Sequence, residues 1–186
     1  MLRSFFTPKR IYLLLSLFIL VNLAFKFGPW SISALEEVSG GASIPDLMPG
    51  YDLAQLKALF AAYGPEGIAI YKKIQILDFI YPLIYGALML GLMVRIRIPR
   101  QFRSIAYMNP VLAVIFDYAE NLMLRKLVNH YPFLTPDFRK TAEISSLLTN
   151  AKWTLIAISI ITIVVFGIRY ILQEKKRHSS RGHHRG

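Results

Sequence analysis

Cysteine is absent from this 186-residue chain, which excludes disulfides, a thiol nucleophile and thiolate metal sites together. Histidine is scarce and lies outside the apolar segments. His178, His183 and His184 fall near the end of the chain and His130 between two apolar runs, so none is placed for an intramembrane relay or ligand set. Acidic residues number 11 against 22 lysines and arginines, and charged residues of all kinds make up only 18% of the chain. There is no serine elbow, no aspartate-rich prenyl-diphosphate motif and no internal repeat at the usual spacing of about 20 to 50 residues.

What is present is apolar surface. Hydrophobic residues make up 54% of the chain and the mean hydropathy is +0.42, above the roughly 45 to 50% apolar share of soluble domains. The chain therefore reads as an all-α membrane protein with the lipid bilayer as its surroundings. A formal charge of +11 would suit nucleic acid. The basic residues, however, flank apolar runs rather than stud an aromatic face, so no nucleic-acid partner is expected.

Hydropathy and punctuation predict four spans, at about 11–28, 67–94, 104–128 and 144–170, forming one four-helix bundle over 1–172. A basic, disordered tail is expected over 173–186. The first run also fits a cleaved signal peptide loosely, but Ile32 at minus three, the bulky Pro29-Trp30 pair and the internal Asn22 favour a retained span. Between the first two spans lies an acidic loop punctuated by glycine and proline. Within it, Asp52 to Tyr63 is predicted as a short amphipathic helix: Asp52 caps it, Gln55 completes a capping box, and Leu53, Leu56, Phe60 and Tyr63 share a face. Gly64-Pro65 ends it.

Positive residues set the expected orientation. Arg3, Lys9, Arg10, Arg95, Arg97, Arg100, Arg103, Arg169 and the basic tail all fall on one side, so both termini are expected to be cytoplasmic. The setting is expected to be a bacterial inner membrane ahead of a eukaryotic organelle membrane.

Within this apolar frame the polar residues stand out. Asp117, Glu120 and Asn121 share one face of the third span. Each ionised acid at mid-membrane costs about 2.5 to 3.5 kcal/mol on an insertion scale, so two within one turn require partners or a use. Asp78 enters the second span to similar depth on a face with Tyr71, Gln75, Pro82 and Tyr85. Pro82 has no amide hydrogen, which frees the carbonyl of Asp78. Asn22 sits in the first span, and Lys152 sits in the fourth on a face with Ser145, Thr149 and Ser159. Two structural readings accompany the functional one: Lys152 snorkels to the headgroups, or Asp78 and Asp117 pair with Lys152 or Arg125 to lock helix packing.

Leu77-Asp78-Phe79-Ile80-Tyr81-Pro82 together with Asp117-Tyr118-Ala119-Glu120-Asn121 resembles a family of small four-span membrane proteins over about 51–170. That resemblance implies the architecture and carries no activity. A more distant analogy is the sterol-isomerase and sigma-2-receptor four-helix group, which implies a lipid-facing acidic pocket. The intramembrane histidine of the isomerases is missing here.

Three functions compete. A binding protein or small carrier would hold a lipid-like or hydrophobic small molecule in an acidic pocket in the outer half of the bundle. Its expected ligand set is Asn22, Asp78, Tyr81, Tyr85, Asp117, Glu120, Asn121, Lys152 and Trp153. An intramembrane enzyme would use Asp78, Asp117 or Glu120 as paired acid and base on an apolar substrate. A structural or assembly protein would use the same residues only to specify helix pairing. Whether the protein is an enzyme stays open. No cofactor and no metal are assigned, with a divalent cation shared by the three acids left as an open alternative.

Overall fold

The computed structural model describes residues 2–96 and 98–182, with side chains described through Gln173. Arg97 and residues 183–186 lie outside the described residues, as do the side chains of the tail beyond Gln173. Among the described residues seven α-helices follow in order: α1 (Leu2–Phe5), α2 (Pro8–Lys26), α3 (Ile32–Val38), α4 (Leu53–Asp78), α5 (Tyr81–Arg95), α6 (Arg100–His130) and α7 (Arg139–Gly182). Short 3-10 turns lie at Pro45–Leu47 and Pro136–Phe138, and no strand occurs among the described residues. The helical backbone of α7 thus extends into the segment expected as a disordered tail.

Among the described residues three segments are long and apolar enough to cross a membrane: α2, the run from Leu53 to Arg95, and Pro136–Gln173. The chain is a helical membrane protein. Helix α6 is long enough to span, but it carries Arg100, Arg103, Asp117, Glu120, Arg125 and Lys126 and is not among the three. Large apolar side chains on α2 and α7 stay exposed, among them Leu13, Leu20, Ile161 and Ile168. Such surfaces are stable in lipid and would not be in water.

Local sequence explains most element ends. Thr7 caps α2 with Pro8 in its first turn, where the missing amide hydrogen costs nothing. Asp52 and Gln55 form the expected capping box at the start of α4. Leu53, Leu56, Phe60 and Tyr63 are all buried, so the amphipathic stretch lies on the bundle. Gly64 then takes φ 60° and ψ −174°, a conformation essentially restricted to glycine, and the chain turns into the apolar half of α4.

The second predicted span is not one helix. It breaks at Phe79-Ile80, and α5 starts afresh with Pro82 in its first turn. The expected loop over 31–64 is likewise more ordered than its composition suggests, holding, before its predicted helix, α3, capped by Ser31, and the 3-10 turn that carries Asp46.

Among the described residues the largest apolar core lies towards one end of the helices. It gathers Leu35, Ile44, Leu56, Phe60, Tyr63, Tyr71, Leu124 and Leu127 at the end of the molecule where α3, the first half of α4 and the 131–138 connection meet. We call this the capped end and the opposite one, rich in arginine, the basic end. Towards the basic end, α5 approaches α6 closely because Gly86 leaves no side chain: a Cβ there would collide with Val114.

Candidate functional site

Lys152 is the centre of the polar cluster. It enters from α7 and is only 3% exposed, so its ammonium is inside the protein and does not snorkel to the surface. Its Nζ lies 2.6 Å from Asp46 Oδ1, 2.6 Å from Glu120 Oε2 and 3.5 Å from Asp117 Oδ1. Ser145, Thr149 and Ser159, predicted on the same face, are all fully buried.

Asp46 is the residue that sequence reasoning missed. Its place on a loop gave it no helical periodicity, and the only signal was Ile44-Pro45-Asp46, where proline starts a 3-10 turn. The turn is fixed to α7 twice: through the carboxylate on Lys152, and through the Asp46 carbonyl, which accepts the Trp153 indole N–H at 2.8 Å.

The α6 triad is held from three directions. Asp117 accepts the Tyr85 hydroxyl at 2.9 Å and the Asn121 amide at 3.1 Å. Asn121 also donates to the Asp78 carbonyl at 3.3 Å, and Tyr118 donates to the Phe79 carbonyl at 2.7 Å. The backbone freed at the Pro82 break is therefore satisfied from the neighbouring helix, as buried carbonyls require. Glu120 accepts from the Thr149 hydroxyl, which in turn contacts Tyr51. Tyr51 donates to Ser145, and burial raises its phenol above the ordinary value, keeping it a neutral donor.

Arg125 takes no part. Its guanidinium lies 5.9 Å from the Phe79 ring centroid and makes no ion pair with Asp78 or Asp117, so the alternative partner considered for those acids is corrected. The His130 ring bonds the Lys126 carbonyl of its own helix and packs against Phe138, away from the cluster.

A cavity of about 290 Å³ adjoins the cluster, near the lower end of small-molecule sites at about 300 to 1,000 Å³. Of the expected ligand set, Asn22, Asp78, Tyr81, Tyr85, Asp117, Lys152 and Trp153 line it, joined by Asp46. Glu120 and Asn121 belong to the cluster behind the wall and do not line the cavity. The remaining walls are apolar, from Phe18 and Phe25 of α2, Met89 of α5, and Ile156 and Ile160 of α7. Helix α2 packs on α5, where Tyr81 stacks on Phe18 and meets Phe25 edge-on, and Asn22 bonds the Tyr81 hydroxyl at 3.4 Å. It makes no extensive packing with α7. The cavity therefore lies between two helices whose outer faces carry lipid-soluble side chains.

Chemically the site is a polar end with an apolar approach. Three carboxylates, of Asp46, Asp117 and Glu120, meet the ammonium of Lys152, and the carboxylate of Asp78 lies beside those of Asp46 and Asp117 without reaching it. Comparison with family models, with curated proteins and with solved structures returns no match for this chain.

Proposed function

We propose that the protein is a four-span membrane protein, with α6 as the fourth membrane-crossing helix and both termini cytoplasmic, and that its cavity binds or carries a lipid-like or hydrophobic small molecule. The reading rests on one observation: a cavity walled by Phe18, Phe25, Met89, Ile156 and Ile160 ends on Asp46, Asp78, Asp117 and Lys152. An amphiphile suits such a space, with its polar head on the carboxylates and its chain leaving between α2 and α7 into the bilayer. Three of the polar residues come from separate elements, the 3-10 turn, α4 and α6, and converge on the cavity. A role confined to helix pairing would leave the cavity itself without purpose. In this orientation the capped end faces outward, so the pocket opens to the outer leaflet.

The test is mass spectrometry of what co-purifies with gently solubilised protein. The parent is compared with Ile160→Trp, which fills the cavity from an exposed lining position, and with Asp78→Asn, which alters the polar end. One lipid-soluble compound enriched with the parent and lost from both variants is the expected result. Equal lipid profiles in all three, with equal stability, would leave helix packing as the better account.

A further inference from the structure

Away from the cavity, the turn that follows α2 is fixed by one buried side chain. The Ser31 hydroxyl donates to the Gly28 carbonyl at 2.8 Å and accepts the Ala34 amide at 3.1 Å, so it closes the turn and caps α3 at once. Gly28 takes φ 105°, a backbone region that favours glycine. Although the turn is held from inside, Phe27 and Trp30 stay exposed, each beside a lysine. Lys26 Nζ lies 5.9 Å from the Phe27 ring centroid, and Lys73 Nζ lies 5.4 Å from that of Trp30.

These residues head a groove of about 400 Å³ between the end of α2 and the last turns of α4. Phe27, Trp30, Lys73, Ile76, Leu77 and Ile80 line it, no acid does, and neither Lys26 nor Lys73 makes an ion pair among the described residues. The groove shares no lining residue with the cavity: Asp78 and Tyr81 line the cavity, and Ile76, Leu77 and Ile80 line the groove. Depth follows from length. Helix α2 has 19 residues, about 28 Å at about 1.5 Å each, close to the roughly 30 Å thickness of a hydrocarbon core. With α2 crossing the bilayer, Lys26 and the turn after it reach the membrane–water interface, where tryptophan rings and lysine heads settle. From there the apolar lining of α4 leads towards the midplane.

We propose that this groove binds a phospholipid with an anionic headgroup, its phosphate on Lys26 and Lys73 and one acyl chain along Ile76, Leu77 and Ile80. Charge complementarity selects the head. Two ammonium groups without acidic partners suit phosphate oxygens, to which they donate charge-assisted hydrogen bonds. No carboxylate lines the groove to hold the positive end of a zwitterionic head. The two aromatic rings keep the ammonium groups at the mouth of the groove by cation–π attraction. The groove stands on its own geometry and does not depend on the nature of any ligand in the cavity.

The chain has two tryptophans, so full-length protein carrying Trp153→Phe reports from Trp30 alone. It is placed in bilayer discs of phosphatidylglycerol and phosphatidylcholine in equal parts with matched chains, one of the two lipids brominated near the top of its acyl chain. Expected is stronger quenching of Trp30 when phosphatidylglycerol carries the bromine, equivalent to a preference of about 5-fold or more, the factor that one lysine at an anionic surface supplies. Replacing both lysines, Lys26→Gln with Lys73→Gln, should abolish the preference, and the exposed Arg100→Gln at the basic end should leave it unchanged. Native mass spectrometry of the parent, with both tryptophans in place, gives a second reading: phosphatidylglycerol is retained over phosphatidylcholine, and the double-lysine variant loses it. Equal quenching by the two lipids would show a surface without headgroup choice and overturn the proposal. A preference that survives loss of both lysines would overturn it too, since the anionic lipid would then sit elsewhere. Absence of quenching by either lipid would mean that a second copy of the chain or another occupant covers the groove, which equally overturns it. Each of these failures leaves the co-purification result untouched.

Discussion

Lys152 and Asp46, 106 positions apart in the chain, are joined by an ion pair of 2.6 Å with both side chains almost wholly buried. The pair ties a loop at the capped end to the first half of the longest helix described. Because four acids surround one base, the two signs of charge are unequal in what their loss does.

Removing the base should be far more damaging than removing an acid. Lys152→Met is expected to lose about 3 to 5 kcal/mol, the usual cost of stripping one partner from a buried pair. Asp78→Asn should leave stability unchanged or raise it, since it removes repulsion and no bond. Thermal unfolding in a single detergent, followed by circular dichroism, makes the comparison. Equal losses in the two variants would show that the acids are not in excess.

The break at Phe79-Ile80 should depend on α6. Asn121→Ala leaves the Asp78 carbonyl and one side of Asp117 unpaired, and each buried orphan costs about 1 to 3 kcal/mol. Tyr118→Phe removes only the bond to the Phe79 carbonyl, a net contribution of about 0.5 to 1.5 kcal/mol. Hydrogen exchange of the amides over 76–84 should rise in both variants and more in Asn121→Ala. No change at that segment would mean that the break holds itself.

The absence of cysteine makes the topology directly measurable. Single cysteines at Ala54, Gln101 and Phe133, all exposed, sit at the capped end, the basic end and the capped end again. An impermeant maleimide applied to intact cells should label the first and third and spare the second. Labelling of Gln101→Cys together with Phe133→Cys would remove α6 from the list of crossing helices.

Much of the site was legible because helical periodicity places residues on faces before any contact is known. Asp117, Glu120 and Asn121 do share one side of α6, and Ser145, Thr149, Lys152 and Ser159 share the buried side of α7. The capping box at Asp52 and the burial of Leu56 and Phe60 followed from spacing as well. Asp46 escaped because it lies in a turn with no repeat, and its role depends on the path of a long connection. Arg125 misled for the opposite reason. It lies one turn beyond Asn121, close enough in sequence to suggest pairing, but its side chain runs over Phe79. Lys152 allowed two readings because a long apolar stem reaches outward or inward equally well, and only Asp46 and Glu120 decide between them.

Helix α2 has no buried residue, and its polar and aromatic attachments converge on Tyr81. The charged cluster draws on the 3-10 turn, α4, α6 and α7 and needs nothing from α2. The charged floor and the α2 side of the cavity wall are thus built by separate parts of the chain. The ionic floor is knit into the bundle, whereas the α2 side of the wall has its polar and aromatic attachments on one ring. A change at Tyr81 would loosen the wall while the floor stayed whole, so the width of the cavity and the chemistry at its base can vary independently.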